Sequence, residues 1–157
     1  MMRRAVSRMH NTLDVRASHD RLNDEELDEL TRKLAAIGAR AEIPAGDGGD
    51  VQELFGDVDE GALDEFLDRL DAVGVRADRY LPVPFDGAVS LSALTCGSAH
   101  ALQGALTKIR SDLELDLDLD PGGRDRRLAK QRNLWKRFRA GAKLAVRRGL
   151  VLEIVRF

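Results

Sequence analysis

The sequence predicts one α+β domain over residues 1–157, with a β-α-β-β-α-β N-terminal half in the ferredoxin-like arrangement, a long basic amphipathic helix and a closing strand. Three observations predict it. A helix-glycine-strand unit occurs twice. Residues 124–148 carry an apolar stripe of helical period. Residues 150–157 are apolar on both faces of an extended chain, with only Glu153 and Arg156 polar. At 157 residues the chain is long enough to bury a core of its own. Two sub-units are readable within it, an acidic duplicated half at 12–80 and a mixed half at 81–157.

The first element is the alternation Leu13-Asp-Val-Arg-Ala17, a half-buried strand. Asn23 or Asp24 then caps a helix whose first turn is acidic, and Leu27, Leu30, Leu34 and Ile37 follow at steps of three, four and three residues. Gly38 stops that helix. Ala39–Ile43 reads as a strand, and Pro44–Asp50 as a loop of Pro, Gly and Asp. The unit returns 36 residues later: Leu63, Phe66, Leu70, Val73 and Gly74 repeat Leu27, Leu30, Leu34, Ile37 and Gly38. Likewise Gly-Ala-Arg-Ala-Glu at 38–42 becomes Gly-Val-Arg-Ala-Asp at 74–78. Two copies are too few for a solenoid. With 13–17 and a short strand at Val51–Phe55 they complete the ferredoxin-like order.

Prolines at 82 and 84 forbid a central strand over Tyr80–Phe85, so this stretch reads as an edge or crossing segment. Ala88–Leu94 reads as another strand, and Ser98 opens a helix through Ile109. Leu113, Leu115, Leu117 and Leu119 alternate with Glu114, Asp116, Asp118 and Asp120, the period of a strand with one acidic face. After Pro121-Gly-Gly comes the basic helix, whose inner face is Leu128, Trp135, Phe138, Ala142 and Ala145. Gly149 is its left-handed cap.

The net charge of −2 hides a division. Residues 122–157 hold twelve Lys or Arg against Asp125 and Glu153, a formal +10, whereas residues 1–121 hold thirteen basic and twenty-five acidic residues, a formal −12. The bland reading of such a pattern is mutual neutralisation within the fold or a solvated face. The functional reading is an interaction surface, because complementary charge speeds encounter and selects partners.

Other chemistry is thinly represented. One cysteine, Cys96, excludes an internal disulfide and a cysteine-based metal cluster. Asp116-Leu-Asp118-Leu-Asp120 has acids where a calcium loop begins. Pro121 then stands where that loop needs glycine, and Arg127 where it needs a bidentate glutamate. Cys96 and His100 crowd together in Thr-Cys-Gly-Ser-Ala-His, without an acidic orienting group. His10 and His19 stand alone, and no Walker or Rossmann glycine loop is present. No cofactor or metal is expected. The chain has neither a signal-peptide run nor an apolar stretch of membrane-spanning length, which predicts a cytoplasmic protein without membrane contact. Twenty Arg to five Lys point to a GC-rich bacterial genome.

These observations predict a non-enzymatic cytosolic module that binds another protein, of an immunity or regulatory type. Its surface is Asp28, Glu29, Asp64 and Glu65 on the two acidic helices, or else the basic helix. Two alternatives stand beside it. Nucleic acid would be bound through Arg126, Arg127, Lys130, Arg137, Lys143 and Arg147. A cysteine-dependent enzyme would use Cys96. Trp135 and Phe138 fall at core spacing and read as packing residues, not as platforms for bases.

Overall fold

A computed structural model describes residues 11–16, 24–38, 52–91, 94–118, 122 and 125–156. In chain order the elements are β1 (Asn11–Arg16), α1 (Asp24–Ala36), β2 (Gln52–Val58), α2 (Glu60–Ala72), β3 (Arg79–Leu81), β4 (Ala88–Ser90), β5 (Thr95–Ser98), α3 (Ala99–Asp118), α4 (Arg126–Arg148) and β6 (Val151–Arg156). The class is α+β, as predicted. Six strands form one mixed sheet in the order β2-β1-β6-β3-β5-β4. All neighbours are antiparallel except β3 and β5.

The last strand therefore lies in the middle of the sheet. A strand apolar on both faces, as 150–157 reads, belongs where both faces are covered, and β6 runs between β1 and β3 with Val151 packed to one side and Leu152 to the other. Successive side chains of a strand point to opposite faces. Tyr80 and Leu152 accordingly join the larger core, beneath α2, α3 and α4, through Phe66, Leu70, Leu102, Leu106, Phe138 and Ala142. Leu81, Val151 and Cys96 join a second core with Leu30 and Leu34 of α1 and with Val83, Phe85 and Val89. Three helices thus cover one face of the sheet, and α1 with the 82–91 segment covers the other.

The ferredoxin-like order does not appear among these pairings. β1 is flanked by β2 and by the C-terminal β6, both antiparallel to it. The predicted strand at 39–43 lies outside the described residues, as do the 44–50 loop, His10 and His19. The strand expected directly after Gly74 is replaced by a loop, and β3 begins only at Arg79. Gly74 takes φ 79°, as does Gly38 at the equivalent place after α1, a conformation open to glycine and resisted by side chains. Past Gly74 the chain wraps a buried hydroxyl: Tyr80 Oη donates to the Val75 carbonyl at 2.7 Å and accepts from the Ala77 amide at 3.1 Å. Burial raises the Tyr80 pKa, so the group stays protonated.

Two further expectations change. The Tyr80–Phe85 segment was expected at an edge or as a crossing segment; Tyr80 and Leu81 instead lie in central β3, while residues 82–85 leave the sheet. Pro82 acts one residue later, where the strand has already ended and Val83 and Phe85 turn into the α1-side core. The leucine-acid alternation at 113–118 is helical, the last two turns of α3. Leu113 continues the buried row Leu102, Leu106 and Ile109 at helical spacing, and Arg110 pairs with Glu114 at i,i+4. Packing against α4 selects the helix over the strand that period two alone would favour.

α4 matches its prediction closely. Asp125 caps it by accepting from the Arg127 and Leu128 amides, and Gly149 ends it at φ 68°. Its buried face is Leu128, Leu134, Phe138, Gly141, Ala142 and Ala145, with Gln131 donating to the Ala62 carbonyl at 2.9 Å. Gly141 lets the helix sit close on β6: a Cβ there would lie 2.7 Å from Leu152 Cδ1. Among the described residues no helix is long and apolar enough to cross a membrane.

Candidate functional site

The four acids of the expected protein-binding surface do not share a face. Asp28 and Glu29 belong to α1, on one side of the sheet, and Asp64 and Glu65 to α2, on the other. Glu65 is half-buried and held by Arg69 at 3.5 Å and by Arg127 at 3.3 Å. Asp59, the cap of α2, pairs with Lys130 at 3.4 Å. The Ala62 amide, and then Lys130, holds its carboxyl below the usual carboxylate range. One flank of the basic helix thus neutralises the acidic α2, which accounts for Arg127 and Lys130 from the nucleic-acid set. Arg126, Lys143 and Arg147 of that set are exposed, and Arg137 is half-buried.

The other flank is different. Arg132, Lys136, Arg139, Lys143 and Arg147 recur at steps of four, three, four and four residues, and all five are exposed. At 1.5 Å per residue this row is about 22 Å long. Among the described residues none of the five makes an ion pair. Sequence reasoning missed three of them, Arg132, Lys136 and Arg139, although their helical spacing was readable.

Beside this row, between α3 and α4, lies a cleft centred on Trp135. The indole is half-buried and not a full core residue. Its Nε1 donates to the Leu106 carbonyl at 2.7 Å, which fixes the ring. The Arg110 and Arg139 guanidinium carbons lie over the ring at 5.7 and 5.6 Å from its centre, a cation–π arrangement. Arg110 also donates through Nε to Glu114 at 2.8 Å. With Leu113, Arg132 and Lys136 these groups enclose a cleft of about 340 Å³. On the far side of Arg139 a second cleft, of about 290 Å³, is bounded by Gln103, Thr107 and Lys143. Phe138, by contrast, is packed as expected, fully buried and stacked on Phe66.

Cys96 and His100 are separated by the sheet. Cys96 sits in β5 and faces the α1-side core, while His100 is exposed in the first turn of α3, a helix of the opposite layer. Burial pushes the thiol pKa from 9.0 up to about 12, which leaves almost no thiolate at neutral pH. Cys96 in the native protein will therefore resist iodoacetamide at pH 8 and react only as fast as the chain unfolds. Rapid labelling of folded protein would contradict this burial. Between pH 9 and 12 the unfolded thiol ionises before the folded one, so stability falls across that window. Among the described residues no group of three or more His, Cys, Asp or Glu could hold a metal ion. Comparison with protein-family models, curated proteins and solved structures finds no match for this chain.

Proposed function

We propose that this protein is a non-enzymatic cytoplasmic binding module, of a regulatory or immunity type, whose partner is an acidic protein segment laid along the α3–α4 face. The observation that carries the reading is the row Arg132, Lys136, Arg139, Lys143 and Arg147, five exposed cations without an ion pair among the described residues, beside a cleft walled by Trp135 and Leu113. Cations beside an aromatic anchor suit a segment that carries both acidic and apolar side chains, and Trp and Arg are enriched among residues that dominate interface energy. A nucleic-acid backbone fits less well. The acidic α2 flanks the opposite side of α4.

The test is a fluorescence-anisotropy titration with a labelled peptide rich in Glu and Leu and with DNA of equal charge. The peptide is expected to bind more tightly, with affinity falling as salt is raised. The triple variant K136E/R139E/K143E loses at least about tenfold, since three surface charge contacts of roughly 0.5 kcal/mol each sum to about 1.5 kcal/mol. Tighter binding of DNA, or full affinity in the triple variant, would overturn the reading.

A further inference from the structure

The cleft at Trp135 carries more than a generic preference for acidic partners. We propose that it is a receptor for a phosphate monoester borne on an aromatic body. The inference stands on the cleft alone and does not require that a protein segment cover the rest of the face.

Charge selects the phosphate. Arg110, Arg132, Lys136 and Arg139 bring four positive charges to the cleft, and Glu114 brings one negative charge, already engaged by Arg110. Four less one leaves three uncompensated. A single carboxylate answers one of these, whereas a phosphate monoester carries about −1.5 to −2 at neutral pH and offers three acceptor oxygens. Guanidinium groups match such oxygens with paired N–H donors.

Geometry keeps the donors available. Arg139 lies over the indole with its guanidinium carbon 5.6 Å from the ring centre, and the side chain remains exposed, so its N–H donors are open to an anion. The indole cannot turn away without losing the Nε1 bond to Leu106. Leu113 and the half-buried Trp135 form the apolar wall, and the cleft of about 340 Å³ lies within the range of small-ligand sites. An aromatic body lies against that wall beside Trp135, which lines both clefts. Beyond it, Gln103 and Thr107 in the second cleft supply polar side chains for that body's edge.

Trp135 is the sole tryptophan of the chain, so its fluorescence reports the cleft directly. Phenyl phosphate, titrated at constant ionic strength, is expected to give a saturable change in emission. Benzoate and phenol, which share the ring and lack the dianion, bind at least about tenfold more weakly. The double variant R132Q/K136Q weakens phenyl phosphate by about tenfold while its thermal midpoint stays that of the parent; R132Q alone is the fallback if the double variant does not fold. Adenosine monophosphate and a phosphotyrosine peptide form two further arms, and tighter binding of one than the other names the natural source of the phosphate. The absence of a saturable change with phenyl phosphate would overturn the proposal. Benzoate equal to phenyl phosphate, or full phenyl phosphate affinity in the glutamine variants, would also overturn it. Failure of the acidic peptide in the anisotropy titration, with phenyl phosphate still bound here, would remove the protein-partner reading and leave this site standing.

Discussion

Replacing Phe138 by alanine is expected to remove about 4 kcal/mol of stability. The ring is completely buried, and its centre lies 4.9 Å from that of Phe66 with 25° between their planes. Truncation of a buried phenylalanine costs about 3–5 kcal/mol through lost transfer energy and the cavity left behind. The aromatic pair adds about 0.5–1.5 kcal/mol beyond buried area. The contact also joins α4 to α2, so the gap opens between two elements that carry opposite charge. Against a typical domain stability of about 5–15 kcal/mol, such a loss brings the protein close to unfolding. Urea unfolding measures it. A loss below about 2 kcal/mol would mean that α4 repacks over the sheet.

The second large effect concerns Glu153. It is buried in the middle of β6, and its Oε2 lies 3.5 Å from Arg79 Nε. The sheet register places residue 153 opposite Arg79 on one side and opposite Asp14 on the other. Arg79→Met would leave a carboxylate in the α1-side layer without this guanidinium, and breaking a buried pair from one side costs about 3–5 kcal/mol. Because Arg79 retains some exposure, the expected loss is about 2–4 kcal/mol. The double variant Arg79→Met/Glu153→Leu should recover most of it, because both charges leave together. A double variant as unstable as the single one would show that the pair is not the source of the loss.

The parts of the fold that were legible in the sequence are those whose signals are local. Leu27, Leu30 and Leu34, and their repeat at Leu63, Phe66 and Leu70, announce α1 and α2 by spacing alone, and Gly38 and Gly74 mark their ends. α4 and β6 were legible for the same reason. Ile37 departs from the pattern because it falls past the end of α1, where it is left exposed. The errors arise where two local patterns compete or where the answer is tertiary. Leucine at every second position from 113 to 119 satisfies a strand period, yet residues 113–118 continue a helix already begun at Ala99, and packing against α4 decides between the two. Nothing local states that α1 and α2, copies of one pattern, lie on opposite faces of the sheet. That division is what separates Asp28 and Glu29 from Asp64 and Glu65.

The candidate site was half legible. The excess of cations at 122–157 is plain from composition, but which of them are neutralised depends on what packs beside α4. Arg127 and Lys130 meet Glu65 and Asp59 of α2, across more than sixty residues of chain. The opposite flank meets α3, whose exposed side at 103–110 carries Gln103, Thr107 and Arg110 and no acid. Trp135 sits at the edge of the buried stripe, and a helical period does not distinguish an edge from a centre.

The chain's five lysines permit the most direct measurement of the central claim, that the α3–α4 face is the binding surface. Acetylation with a soluble anhydride, read by peptide mass spectrometry with and without the saturating acidic peptide, reports each lysine separately. Lys136 and Lys143 are expected to be protected by the bound peptide, while Lys33 on α1, across the sheet, and Lys130 on the α2 flank keep their rates. Protection centred on Lys33 or Lys130, with Lys136 and Lys143 unchanged, would contradict the assignment of this face.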